Sequence, residues 1–185
     1  MKNIAVLASG NGSNAEEIIR YFKNSPTARV ALIASNKKDA HVLERARNHH
    51  IPSLWFNKAD LEEGRVKDRL TGMQIDFIVL AGFLLKVPEH LIDAFPDRII
   101  NIHPALLPKY GGKGMYGSFV HQAVKNNKDS STGITIHFVN HNYDEGKVIF
   151  QKSVNVSPED SPEDIAEKVH ALEHEYYPKV IESLL

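Results

Sequence analysis

Apolar and polar positions along this chain alternate between two spacings. Residues 4–8 form a short apolar run closed by Ser-Gly-Asn-Gly-Ser-Asn, and Ile18, Ile19 and Phe22 within 15–22 then fall at helical spacing. This pattern predicts a strand, a glycine loop and a helix. The order recurs as strand 29–34, helix 40–48, short strand 53–56 and helix 61–70. Residues 76–81, DFIVLA, are apolar after the first, as expected of a strand buried on both faces of a parallel sheet. A helix over 88–94 with proline in its first turn follows, then a buried strand over 98–102 that ends at His103-Pro104. Repeated β-α-β units predict an α/β, Rossmann-like, mostly parallel sheet with helices on both faces.

Beyond Pro104 the rhythm changes. Pro108 and Gly111, Gly112, Gly114 and Gly117 mark residues 105–117 as a loop, and 117–125 reads as a helix. Strand 134–139 and its partner 147–156 form a C-terminal hairpin, and 162–185 a long helix with Ser161 as N-cap. No repeat or linker divides the chain, so 1–185 is expected to be a single domain.

Composition removes several function classes. Lys plus Arg is 22 and Asp plus Glu 23, a net charge of -1, so no basic excess exists to grip a nucleic acid. The absence of cysteine excludes disulfides, thiolate metal sites and a cysteine nucleophile, and suits a reducing, cytoplasmic setting. The N-terminal apolar run is too short for a signal or spanning segment, and no membrane partner is expected.

Three unusual segments follow predicted strands, the edge where open α/β sheets bind ligands. Residues 10–14, GNGSN, offer close backbone approach and free N–H groups at a helix start, the makings of a site for one phosphate. They match neither a dinucleotide nor a triphosphate motif. A plain tight turn with Ser13 or Asn14 as N-cap is the alternative. Gly82-Phe83 follows the DFIVLA strand. Asn101 and His103, two apart at a strand end, share a face and could supply an amide donor and a titratable imidazole for acyl transfer. A strand-end cap beside a satisfied buried histidine is the competing reading. His170-Ala-Leu-Glu173-His174 matches a zinc peptidase signature, but only Glu175 and Glu182 follow as further acidic ligands, and no metal is expected.

Taken together, GNGSN at 10–14, AGF at 81–83, NIHPALLPKY at 101–110 and GITIHFVNHNYDEGKVI at 133–149 resemble the phosphoribosylglycinamide formyltransferases, the folate-dependent transformylases of purine synthesis. The resemblance spans nearly the whole chain. It implies the formyltransferase fold and transfer of a formyl group from 10-formyltetrahydrofolate, as co-substrate, to the amine of glycinamide ribonucleotide. It makes Asn101, His103 and Asp144 the catalytic set and puts Gly12, Ser13, Asn14 and Glu173 around the ribonucleotide. The folate would lie along Phe83, Leu84, Leu85, Val87, Val139 and Asn140, with Arg65 or Arg69 near the formyl donor. Such enzymes act as monomers or homodimers.

The chain departs from the family pattern in two places. The segment 111–121 is longer than the family's short form, so His121 is not equated with a family histidine, and Asp144-Glu145-Gly146-Lys147 replaces Asp-Gly-Gly-Pro. Hydrolysis of the same donor, and a nonenzymatic nucleotide-binding module, are the alternatives at this point.

Overall fold

The computed structural model describes residues 1–185. Five parallel strands form its spine: β1 (Lys2–Leu7), β2 (Ala28–Ser35), β3 (Ser53–Trp55), β4 (Phe77–Leu80) and β5 (Ile99–His103). Two antiparallel strands, β6 (Ser131–Phe138) and β7 (Val148–Asn155), extend the sheet on the β5 side. The order is β3-β2-β1-β4-β5-β6-β7. Strand order therefore reverses at β1, and the crevice between the carboxyl ends of β1 and β4 is where such a sheet binds ligands.

Side-chain alternation along β1 shows why the strand runs read as continuously apolar. Ile4, Val6 and Ala8 enter one core, and Ala5 and Leu7 enter the other. Helices α1 (Ser13–Phe22), α2 (His41–Asn48), α6 (Ser118–Asn126) and α7 (Pro162–Ser183) cover the first face. Helices α3 (Lys58–Glu62), α4 (Arg65–Gly72) and α5 (Glu89–Ala94) cover the second.

Two local expectations are corrected. The helix expected over 61–70 is interrupted, because Gly64 at φ +89° ends α3 and starts α4. The N-cap of α1 is Gly12 at φ +77°, with no side-chain cap, rather than Ser13 or Asn14. The first-turn N–H groups of α1 consequently have no side chain bonded to them. Ser161 does cap α7, in a reciprocal pair with Asp164. No helix is long and apolar enough to cross a membrane.

Candidate active site

The loop after β1 is held by its neighbours. Val42 N–H donates to the Gly10 carbonyl at 3.2 Å, and Arg45 donates to the Asn11 carbonyl and Oδ1 at 2.8 and 2.6 Å. A Cβ on Gly12 would stand 2.4 Å from Val42 Cγ2, so the position is sterically reserved for glycine as well as conformationally so. Ser9 joins this loop to the segment after β4: its N–H donates to the Gly82 carbonyl at 3.0 Å, and its Oγ accepts from Leu84 N–H at 2.9 Å.

At the end of β5, Asn101 and His103 line the same cavity, as their spacing predicts. His103 is 3% exposed, and its Nε2 lies 2.7 Å from the Tyr110 carbonyl. A carbonyl only accepts, so Nε2 carries the proton and Nδ1 is the nitrogen that titrates. Nδ1 faces the Asp144 carboxylate at 3.7 Å. Burial pushes the His103 pKa down, and the Asp144 charge and the Tyr110 carbonyl push it back up, with the net direction down. Burial alone would raise the Asp144 carboxyl, but bonding to His137, the His103 charge and the Gly112 N–H, which donates at 3.0 Å, leave it below its ordinary value.

His137 completes the group and was not singled out from the sequence. It lies directly opposite Asn101 in the β5–β6 ladder, and on its other side the β6–β7 register shifts between Ile136 and His137. Its Nδ1 donates to the Phe138 carbonyl at 2.9 Å, which leaves Nε2 facing Asn101 Nδ2 at 3.3 Å and Asp144 Oδ1 at 3.5 Å. Two imidazoles, each tied at one nitrogen to a backbone carbonyl, thus turn their free nitrogens on one carboxylate. Thr135, opposite His103, anchors the chain that leaves β5: its Oγ1 donates to the Ala105 carbonyl at 2.7 Å and accepts from Leu107 N–H at 3.0 Å.

The surrounding cavity has a volume of about 770 Å³. Its lining includes Gly12, Ser13, Asn14 and Glu173, with Asn14 Nδ2 donating to Glu173 Oε2 at 2.8 Å. Glu173 is 5% exposed, and burial raises its pKa against the bond from Asn14. It also includes Phe83, Leu84, Leu85, Val87, Val139 and Asn140. Neither Arg65 nor Arg69 lines it; Arg65 is exposed and paired with Asp60 and Glu63. Their expected place near a formyl donor is therefore not supported by this geometry. The zinc-like segment is otherwise engaged: Glu173 holds Asn14, and the His170 and His174 rings stack 6.3 Å apart.

The formyl transferase family pattern matches residues 2–181. Phosphoribosylglycinamide formyltransferase of Bacillus subtilis is 39% identical over 100% of this chain and 95% of its own length. The chloroplastic phosphoribosylglycinamide formyltransferase of Arabidopsis thaliana is 43% identical over 97% of this chain, which spans only 64% of that longer protein. Among solved structures, glycinamide ribonucleotide transformylase 1 from Geobacillus kaustophilus superposes with a TM-score of 0.91 at 37% identity, covering 100% of this chain and 99% of that one. The chain belongs to the formyl transferase family, in its phosphoribosylglycinamide formyltransferase branch.

Proposed function

We propose that this chain transfers the formyl group of 10-formyltetrahydrofolate to the amine of glycinamide ribonucleotide, with Asn101, His103 and Asp144 at the reacting carbon. One observation carries the reading: a single cavity is lined by these side chains together with two chemically different sets of residues. The uncapped start of α1 and the Glu173 carboxylate suit a phosphorylated sugar. The apolar strip of Phe83, Leu84, Leu85, Val87 and Val139 suits a flat heteroaromatic folate, with Asn140 as a polar contact. The names of the full-length relatives favour the same pair of substrates.

The chemistry follows from the donor set. The substrate amine forms a bond to the formyl carbon, and negative charge builds on the formyl oxygen. Asn101 Nδ2 donates toward that oxygen without titrating. His103, protonated at Nδ1, gives its proton to the folate nitrogen as the bond from carbon to that nitrogen breaks. Asp144 favours the imidazolium, and the proton lost by the amine leaves through water at its carboxylate. No metal takes part in these steps. The cysteine-free composition fits a reducing cytoplasm.

The test is the absorbance change of a 10-formyl folate analogue with and without glycinamide ribonucleotide. Turnover that depends on the ribonucleotide is expected. Turnover without it would assign hydrolysis instead, and no turnover in either case would leave a binding module.

A further inference from the structure

His121 on α6 is 3% exposed and lines the cavity, yet neither ring nitrogen has a protein partner, and Nδ1 is fully buried. With Nδ1 sealed off, Nε2, which has no protein partner either, is the nitrogen left to meet a ligand at the cavity wall.

Its position says which part of a ligand. The His121 ring lies 6.3 Å from that of His170, which precedes Glu173 by one turn of α7, and Glu173 in turn holds Asn14 of the loop after β1. His103 is also close enough to act on its charge. His121 therefore neighbours both the helix that holds the loop after β1 and the reacting centre. Burial first, then the His170 and His103 charges, hold its pKa down to about 4, so the ring is neutral at pH 7. A neutral imidazole has one N–H. Orphaned buried N–H groups are rarer than orphaned acceptors, which puts the lone pair on buried Nδ1 and the proton on Nε2.

We propose that His121 is a ribonucleotide-binding residue whose Nε2–H donates to a neutral oxygen, ribose or glycinamide, lying between the phosphate and the amine. This rests on the substrate reading above. The free N–H groups at the start of α1 already provide for the phosphate, so the single His121 donor, on a different helix, is assigned to a hydroxyl or amide oxygen of the same ligand. Glu173, an acceptor when ionised, complements it across the same part of the cavity.

The experiment uses the whole chain and titration calorimetry with three probes: glycinamide ribonucleotide, inorganic phosphate and a 10-formyl folate analogue. His121→Phe keeps a ring and removes the donor, whereas His121→Gln returns an N–H near the Nε2 position. The phenylalanine variant is expected to weaken ribonucleotide binding roughly 3- to 10-fold, the size of one neutral hydrogen bond, with the other two probes unchanged and partial recovery in His121→Gln. Ribonucleotide affinity within twofold of the original overturns the proposal. An equal loss for inorganic phosphate overturns it too, since the contact would then be to the phosphate. An equal loss for the folate analogue would mean a change of cavity shape and has the same consequence. If His121→Phe melts early, His121→Met takes its place against His121→Gln. Failure of the unaltered chain to bind the ribonucleotide would instead overturn the substrate reading on which this rests.

Discussion

Replacing Asp144 by asparagine removes the charge that faces His103 while keeping the shape that accepts the Gly112 N–H. Two unit charges 3.7 Å apart interact by about 4.5 kcal/mol at an effective dielectric of about 20. The carboxylate also faces His137 at 3.5 Å, and its side chain keeps 13% exposure, so sharing and solvent reduce that figure. The direction is downward. Burial already pushes the His103 pKa below its ordinary value, and Asp144 is the largest opposing influence.

The assay is the titration of the His103 Cε1–H resonance, assigned by its loss in His103→Gln, alongside kcat against pH. In Asp144→Asn the midpoint is expected to fall, and the limb of the rate profile that needs the imidazolium should move with it. At pH 7 each unit lost cuts the imidazolium fraction, and hence kcat, about tenfold. Stability gives an independent reading. Because the folded Asp144 pKa is lowered, its contribution is present above the ordinary value of 3.8 and is lost as pH falls through the folded value. Asp144→Asn should therefore be less stable than the original at pH 7 and converge with it in strong acid. A His103 midpoint that stays put or rises would refute the coupling.

Three shorter expectations test the remainder of the cavity. Asn101→Ala should lower kcat roughly 100- to 1000-fold with little change in either KM, the loss typical of one oxyanion donor; a change confined to KM would make Asn101 a binding residue. Gly12→Ala, with its Cβ 2.4 Å from Val42 Cγ2 and a φ of +77°, should cost about 1–3 kcal/mol in denaturant melts and raise KM for the ribonucleotide far more than for the folate; equal rises would reduce the loop to a structural turn. Glu173→Gln should raise Tm at pH 7, because a carboxyl whose folded pKa is raised loses stability as pH climbs through that value, while weakening ribonucleotide binding; a lower Tm at neutral pH would contradict the burial argument.

How much of this was legible depends on the range of the interaction involved. The strands announce themselves because burial on both faces makes each a continuous apolar run, as at 77–80. Asn101 and His103 could be paired from spacing alone, since residues two apart on a strand share a face. Gly64 was visible as a glycine, but helical spacing across it hid the break that its positive φ imposes. His137 needed the register between β5 and β6, a long-range quantity that nothing local in the sequence reports. Ser9, which ties two ligand-facing loops together, carried no signal beyond being a serine after a strand. Arg65 and Arg69 have a residue type that suits an anionic ligand, but neither lines the cavity, and Arg65 pairs with Asp60 and Glu63.

The antiparallel end of the sheet explains how a fold suited to one nucleotide accommodates a second substrate and a reaction between them. A purely parallel sheet supplies only strand ends at this edge, one residue cluster per crossover. Adding β6 in the opposite sense lays His137 across from Asn101 and lets the connection to β7 return over the end of β5. Asp144 sits in that connection at φ +55°, a conformation uncommon outside glycine but tolerated by aspartate. Gly146 makes the return possible, since a Cβ there would lie 1.6 Å from the Phe138 carbonyl oxygen. The Asp-Glu-Gly-Lys sequence of this chain thus keeps the glycine the closure needs, and the substitutions around it fall where the loop faces outward, at exposed Glu145 and Lys147. The cluster of Asn101, His103, His137 and Asp144 is accordingly built by one hairpin folding back on one parallel strand, beside the loops that follow β4 and β1.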